Sequence, residues 1–181
     1  MILGAAMAWP AVAATETPMS PPWWQPDKLF AQVGFAAETQ TVVVGAIWKA
    51  DWHREWLGGY ATLYTEASFG RWLSDSDNGA SSSAWVTQLG LTPVLRWQPQ
   101  SSPDWFFEAG IGANVLAPIF RSSDKRFSTA FNFGDHIAVG RRFGTAREHE
   151  VALRLQHFSN AGIRHPNPGE NFVQLRYAQA F

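Results

Sequence analysis

The sequence predicts an all-β protein that folds as one eight-stranded antiparallel transmembrane β-barrel of the bacterial outer membrane. Three observations support this fold: long segments in which apolar and polar residues alternate, connections that alternate in length, and a composition rich in aromatic residues. Of the 181 residues, 14% are aromatic and only 16% are charged, whereas ordinary globular domains carry roughly 25% charged residues. A barrel exposes apolar side chains only at every second position, so a mean hydropathy of −0.17 is compatible with a membrane protein.

Apolar and polar residues alternate most clearly between positions 104 and 116. Trp105, Phe107 and Ile111 share one parity there, and Glu108 and Asn114 share the other. Aromatic residues near the strand ends with aliphatic residues between them are typical of a lipid-facing strand, and small or polar residues on the second face suit a narrow lumen. Alternation alone also fits a soluble barrel or sandwich, so that alternative stays open. The extended segments that we expect are residues 30–38, 41–51, 57–72, 82–97, 104–116, 127–142, 147–158 and 170–181.

The predicted connections alternate in length, as in outer-membrane barrels, which place short turns on one side of the membrane and longer loops on the other. The first hairpin, at residues 38–40, is short and departs from this rule. The chain ends in Phe181, which shares its parity with Val173, Leu175 and Tyr177, and this ending resembles the C-terminal signature of bacterial outer-membrane proteins. Short links are expected at residues 52–56, 98–103 and 143–146, and longer ones at residues 73–81, 117–126 and 159–169.

The N-terminal residues differ from the predicted barrel in composition. Residues 1–13 are small and apolar and end in Ala-Val-Ala, which predicts a signal peptide with its cleavage site. No Lys or Arg precedes Lys28, so the signal peptide lacks its positively charged start and we interpret it as truncated, or its start as misassigned. An apolar arm of a soluble protein is the alternative. We expect residues 14–29 to form an extension and residues 30–181 to form the barrel as a single domain.

Charge and cysteine content exclude several classes of function. The formal net charge is −1, which offers no electrostatic basis for binding nucleic acid. The chain has no cysteine, so disulfides, thiolate metal sites and a cysteine nucleophile are excluded.

The seventh predicted segment carries reactive side chains on its apolar face. Leu153, Leu155, His157 and Ser159 share one parity. Residues i and i+2 of a strand project from the same face about 7 Å apart, so the imidazole and the hydroxymethyl group can meet. We therefore expect His157 and Ser159 on the lipid-facing outside of the barrel rather than in its lumen.

Such a pair could serve as a nucleophile and its base. A Ser hydroxyl becomes nucleophilic when an adjacent base takes its proton, and His is the usual base. A third polar group commonly orients the imidazole, and Glu170 and Asn171 lie at the start of the next predicted strand. Asn160, or backbone N–H groups near Gly162, could hold a developing oxyanion. The alternative is a polar pair at the barrel rim that meets only headgroups and water.

The run His157-Phe158-Ser159-Asn160-Ala161-Gly162, followed by Pro166-Asn167-Pro168-Gly169, resembles the signature hairpin of the lipid A 3-O-deacylase family of the PagL type. Residues 106–112 and 131–135 are similar to that family as well. The resemblance implies an outer-membrane barrel that hydrolyses the ester-linked 3-hydroxyacyl chain at position 3 of lipid A. It also implies His157 as general base, Ser159 as nucleophile and an acid as the third member, with no metal ion and no cofactor.

The sequence departs from the family pattern at the third member. Where the resemblance implies an acid, two positions after the loop glycine, this chain has Asn171, and Glu170 lies one position earlier. Strand parity places Asn171 with Val173 on the lipid side and Glu170 on the lumen side. A bulge at the Pro168-Gly169 turn could rotate Glu170 outward. We predict Glu170 as the orienting acid and keep Asn171 as the competing candidate, since an amide also orients His in some hydrolases.

Lipid A, or lipopolysaccharide, in the outer leaflet is the predicted partner, with the site at the outer-leaflet side of the membrane. Another envelope lipid esterase, such as a phospholipase, and a non-enzymatic structural or adhesive barrel are the alternative functions.

His165 could bind a lipid A phosphate together with Arg164, although both fit an exposed loop, and Asp135 is interpreted as architectural. The oligomeric state stays open, and a homodimer is one option. Metal-ligand spacing is not found among the remaining histidines, His53, His136 and His149.

Overall fold

The computed structural model describes residues 22–75 and 83–181, and these form a closed barrel of eight antiparallel strands. Each strand pairs with its neighbour in sequence, and β1 closes the barrel by pairing with β8, with Val33 opposite Leu175. The predicted fold class is confirmed. The strands are β1 (Lys28–Phe35), β2 (Thr39–Trp56), β3 (Gly59–Asp75), β4 (Ser83–Pro99), β5 (Trp105–Ala117), β6 (Phe131–Phe143), β7 (His149–Ser159) and β8 (Glu170–Ala180).

The predicted signal peptide, residues 1–13, lies outside the described residues, as do residues 14–21 of the predicted extension and residues 76–82 of one predicted loop. No helix in the described part of the chain is both long and apolar enough to cross a bilayer.

Connections of different length lie at the two ends of the barrel. We call the end with residues 36–38, 118–130 and 160–169 the loop end, and the end with residues 57–58, 100–104 and 144–148 the turn end. Leu57 and Gly58 have φ angles of 48° and 68°, and two consecutive left-handed residues suit a two-residue hairpin turn. Among the connections that the structure describes in full, the predicted alternation of short and long is confirmed, including the short first hairpin.

Two predicted boundaries differ from the observed ones by more than three residues. Residues 52–56 were expected to form a link, but they belong to β2, because a register shift between Lys49 and His53 interrupts the alternation that marks a strand. The sixth strand begins at Phe131 and not at residue 127. Phe127 instead belongs to the preceding loop, where its backbone N–H donates to Phe120 O at 3.0 Å.

Burial alternates along the strands because successive side chains point to opposite faces of a sheet. In β5 every odd-numbered residue is exposed and every even-numbered residue is buried, and β8 alternates with the same period. Aromatic side chains gather on the outer wall near the turn end, where Trp97 and Phe107 pack with ring centroids 5.7 Å apart, as in the aromatic girdles of membrane barrels. The exposed aliphatic wall between the ends includes Leu89, Leu91, Ile111, Ile137, Leu153, Leu155, Val173 and Leu175.

Paired charges fill the barrel interior. Glu66 accepts a hydrogen bond from Arg154 Nη1 at 2.8 Å and another from Arg176 Nη1 at 2.6 Å. Buried charges persist only when they are paired and hydrogen-bonded, and an eight-stranded barrel is narrow enough for side chains to fill. These contacts therefore connect strands on different sides of the barrel and stabilise its wall. Further ion pairs nearer the turn end join Lys28, Arg96, Glu108 and Glu150.

An aromatic plug closes the interior at the loop end. Loop 118–130 contributes Phe120 and Phe127, whose ring centroids lie 5.0 Å apart, and Phe120 packs 5.2 Å from Trp72. Trp72 also packs at 4.8 Å against the rings of Phe158 in β7 and Phe172 in β8. We use the name aromatic plug for these five residues. The plug anchors the inner face of the two strands whose outer faces carry the candidate site.

Candidate active site

His157 and Ser159 lie on the outer wall at the loop end of β7, both half-buried, while Phe158 between them points inward. They follow Leu153 and Leu155, which are exposed on the same face. The expectation that the pair faces lipid rather than the lumen matches this placement. Neighbouring strands place Phe133 opposite Ser159, and Asp135 and Asn171 opposite His157.

Asn171 is the residue that contacts the His157 imidazole. The distance between His157 Nδ1 and Asn171 Oδ1 is 2.7 Å. Because an amide oxygen can only accept a hydrogen bond, Nδ1 carries the proton of a neutral ring and Nε2 is left free to accept one. Gly169, with φ of 71°, gives the ring its room, since a Cβ there would lie 2.5 Å from His157 Cε1.

Glu170 lies on the opposite face of β8, inside the barrel, where it is 3% exposed. Its Oε1 accepts a hydrogen bond from Lys125 Nζ at 2.9 Å. The β7–β8 pairing continues in one register up to Phe158 opposite Glu170, so the bulge that would turn this carboxylate outward is absent from the described residues. The expected contact between Glu170 and His157 is therefore not formed, because strand alternation separates them.

Asn160 and Gly162, the two residues expected to hold an oxyanion, instead make hydrogen bonds within the turn that follows Ser159. The Asn160 backbone N–H donates to Asn167 Oδ1 at 3.0 Å, and the Gly162 N–H donates to Asn160 Oδ1 at 3.0 Å. The Asn160 amide group also donates to the carbonyl of Arg164 at 2.8 Å. Asn160, which is 1% exposed, thus holds the turn together.

Ala161, directly before Gly162, presents one of the backbone N–H groups that were expected near the candidate nucleophile. Its N–H lies 3.4 Å from Ser159 Oγ, beside the candidate nucleophile. Ala161 has a φ angle of 53°, a left-handed conformation that only a few per cent of non-glycine residues adopt. Alanine carries no signal for that conformation, so the sequence could not have indicated which N–H of the turn faces Ser159.

A groove of about 930 Å³ runs along the outer wall beside the His157–Asn171 contact. Its lining is mainly apolar, with Pro93 and Ala109 contributing small side chains between larger aliphatic ones. Asp135 lies at the same end of the groove as His157, next to it across the β6–β7 pairing. The exposed large apolar residues of the lining are Leu95, Ile111, Ile137, Leu155 and Val173.

The other candidates lie apart from this site or serve the fold. His136 points into the barrel and is 4% exposed, and His149 Nδ1 lies 2.8 Å from the Tyr177 hydroxyl near the turn end. His53 is exposed near the turn end of β2. Arg164 and His165 are exposed in loop 160–169, close to the site in sequence.

An eight-stranded membrane barrel with a Ser and a His on its lipid-facing wall defines a class of integral membrane hydrolases whose site opens to the bilayer. Residues 34–180 match the family model described as "Lipid A 3-O-deacylase (PagL)", and the chain belongs to this family. It is thus a lipid A 3-O-deacylase, an ester hydrolase of the outer membrane.

Relatives and a solved structure agree with this assignment. The chain is 38% identical to "Lipid A deacylase PagL" of Bordetella bronchiseptica over 135 residues, covering 75% of this chain and 70% of the relative. It is 32% identical to the protein of the same name from Pseudomonas aeruginosa over 152 residues, covering 81% and 82%. A crystal structure described as "the outer membrane enzyme PagL" superposes with a TM-score of 0.73 at 28% identity, covering 85% of this chain and 99% of that one.

Proposed function

We propose that the protein deacylates lipid A by a serine-hydrolase mechanism on the outside of its barrel, with Asn171 rather than Glu170 as the orienting residue. The observation that carries this proposal is the 2.7 Å contact between His157 Nδ1 and Asn171 Oδ1 on the same outward face as Ser159. A nucleophile, a base and a group that orients the base are the three parts that such a mechanism requires.

In the first half of the reaction, Ser159 Oγ attacks the carbonyl carbon of the ester at position 3 of lipid A. His157 Nε2 accepts the hydroxyl proton as the Oγ–C bond forms, and the carbonyl oxygen becomes an oxyanion. The Ala161 N–H, beside Ser159 Oγ at 3.4 Å, is placed to donate to that oxyanion. The bond between the acyl carbon and the sugar oxygen then breaks, and the imidazolium gives its proton to the departing sugar oxygen.

In the second half, water attacks the acyl group on Ser159. His157 accepts the proton of the water, a hydroxyl oxygen is added to the carbonyl carbon, and the imidazolium returns a proton to Ser159 Oγ as the acyl–enzyme bond breaks. The products are the free 3-hydroxy fatty acid and lipid A with a free hydroxyl at position 3. Atoms and charges balance without any further reactant.

Asn171 holds the imidazole in the tautomer that these steps need. Its amide oxygen accepts from Nδ1–H and so leaves Nε2 as the base, as a carboxylate does in most hydrolases of this kind. An amide carries no charge and therefore stabilises the imidazolium less than a carboxylate would. On a wall that faces lipid, an amide in place of a carboxylate has an advantage, because an isolated charge there is costly.

The substrate reaches the site within the membrane. The groove beside His157 is lined by aliphatic side chains, which suits an acyl chain that stays in the hydrocarbon layer. We assign the loop end to the outside of the cell, because outer-membrane barrels carry their longer loops there. Ser159, at the loop end of β7, then lies in the outer leaflet, near the sugar ester of lipid A.

The test uses the full-length protein in detergent micelles with purified lipid A. Ser159→Ala and His157→Ala should each lower the release of 3-hydroxy fatty acid by at least about 10⁴-fold, as loss of a nucleophile or base does in serine hydrolases. Ser101→Ala, an exposed serine at the turn end, is the matched control and should keep the wild-type rate. Mass spectrometry of the remaining lipid A reports which acyl chain was lost.

Either of two results contradicts the proposal. Wild-type release of fatty acid by Ser159→Ala would remove the nucleophile assignment. Equal rates on phospholipid and on lipid A would favour a general lipid esterase over an enzyme that selects lipid A.

A further inference from the structure

We infer that loop 118–130 positions the catalytic hydrogen bond from inside the barrel, through an ion pair between Lys125 and Glu170 that fixes Asn171 against His157. This inference rests on the proposed function and adds two positioning residues to it. Lys125 and Glu170 touch no reacting atom; they act through Asn171.

A continuous chain of contacts connects the loop with the imidazole. Lys125 Nζ donates to Glu170 Oε1 at 2.9 Å, and the same oxygen accepts from the backbone N–H of Asn171 at 3.2 Å. The Asn171 side chain then accepts from His157 Nδ1 at 2.7 Å. The Glu170 side chain is only 4% exposed and that of Lys125 is 23% exposed, so water competes little for either group.

The same loop holds the other side of the candidate site. Ser128 Oγ and Thr129 Oγ1 accept hydrogen bonds from Asn160 Nδ2 at 3.1 and 3.2 Å, and Ser128 Oγ donates to the carbonyl of Arg164 at 2.8 Å. Asn160 directly follows Ser159. Loop 118–130 therefore contacts the residue after the nucleophile and the residue before the orienting amide, so one element sets the distance between them.

The loop is itself held in place by the aromatic plug. Phe120 and Phe127 belong to the loop, and Phe158 and Phe172 point inward from the positions that follow His157 and Asn171. The inner and outer faces of β7 and β8 are thus fixed together. Lys125 adds a polar contact to this apolar support at the first residue of β8.

Positioning matters more for an amide than for a carboxylate. A carboxylate attracts an imidazolium over several ångströms, whereas a neutral amide acts only through a hydrogen bond, which weakens steeply once its distance or angle departs from the optimum. An enzyme that uses Asn171 as the orienting group therefore depends on a rigid support for that side chain. Lys125 and Glu170 supply this support.

Lys125→Met tests the inference in the full-length enzyme with lipid A as substrate. We expect kcat to fall about tenfold, because a small displacement of a catalytic group already costs that much, while KM stays within about twofold because the groove is unchanged. Lys125→Arg keeps the ion pair and should restore most of the rate. Glu170→Gln keeps an acceptor for both donors and should lose only about threefold.

A double-mutant cycle separates positioning from general stability. If Lys125 acts through Asn171, Lys125→Met should have no further effect on kcat in an Asn171→Ala background, because the contact it protects is already gone. The matched control is Lys28→Met, which removes the lysine of another interior Lys–Glu pair near the turn end and should leave kcat within about twofold of the wild type. Gel mobility without heating shows that each variant forms its barrel.

The outcomes are distinct. Independent losses in the cycle, or an equal loss of kcat in Lys28→Met, would overturn the inference and leave Lys125 a structural residue only. A loss in Glu170→Gln as large as in Asn171→Ala would also overturn it, because it would give the Glu170 charge a direct role. The inference is supported if Lys125→Met lowers kcat in the wild-type background but has no further effect on kcat in the Asn171→Ala background. Full activity of Ser159→Ala would instead remove the proposed function itself.

Discussion

The inner and outer walls of this barrel differ in how they accommodate polar side chains away from bulk water. Inside, Glu66 meets two guanidinium groups, and the neighbouring carboxylates of Glu108 and Glu150 are likewise paired with cations. Outside, the side chain that contacts the His157 imidazole is the uncharged amide of Asn171. The ion pairs described above lie inside the barrel, whereas the lipid-facing contact uses a neutral amide, with the Asp135 carboxylate beside it on β6.

This difference indicates which job each wall performs. The inner wall needs strength, and paired charges with several hydrogen bonds each give a scaffold that resists repacking. The outer wall needs reactive groups that a lipid can approach, and each charged group added there costs free energy where it faces hydrocarbon. Substitutions of single residues on either wall test this difference.

The largest effect is expected from Glu66→Ala on the inner wall. The change leaves Arg154 and Arg176 without their shared carboxylate, and breaking a buried ion pair costs about 3–5 kcal/mol. Urea unfolding of the protein in lipid vesicles measures this loss. Asp104→Asn, at an exposed pair with Arg147, is the control and should change stability by less than about 1 kcal/mol. Similar losses in both variants would show that burial does not distinguish the inner wall.

A smaller loss is expected from Leu153→Arg on the outer wall. Leu153 lies at the middle of β7 and is exposed to lipid, where an arginine costs about 2–4 kcal/mol. The same unfolding measurement applies, with Leu153→Ile as the control that keeps an aliphatic side chain. Unchanged stability of Leu153→Arg would place this position outside the hydrocarbon layer and contradict the orientation of the barrel.

The smallest effect is expected from Asn171→Asp, which places a charge next to His157. The carboxylate stabilises the imidazolium, so kcat should rise by up to about tenfold, and the acidic limb of the pH–rate profile should move to higher pH because the protonated ring is favoured. Gln40→Glu adds a carboxylate to the outer wall two strands away and should leave both unchanged. A fall in activity of Asn171→Asp would show that a second carboxylate, in addition to Asp135, is not tolerated next to His157.

Most of the fold could be predicted from the sequence because a strand's side-chain period depends only on residue spacing. The parity of Leu153, Leu155, His157 and Ser159 placed the pair on the outer wall, and the structure agrees. The start of β6 could not be found in this way. Residues before Phe131 also contain aromatic side chains, but they pack into the aromatic plug, and that packing depends on contacts distant in sequence.

The third member of the site shows the same limit on a smaller scale. Parity alone favoured Asn171, whereas the greater chemical suitability of a carboxylate favoured Glu170. Choosing between them required the register at the end of loop 160–169, which the loop sequence does not determine. Nor could the sequence indicate that Lys125, from a different loop, pairs with the Glu170 carboxylate.

The proposed site on the outer wall confines the reaction to the plane of the membrane. With Ser159 as the proposed nucleophile, substrate would arrive by lateral diffusion, and the released fatty acid would leave the same way without crossing into water. The concentration that governs the rate is then the mole fraction of lipid A in the surrounding layer. Diluting the substrate with inert lipid should therefore slow turnover, even when the amount of lipid A per volume of solution is held constant.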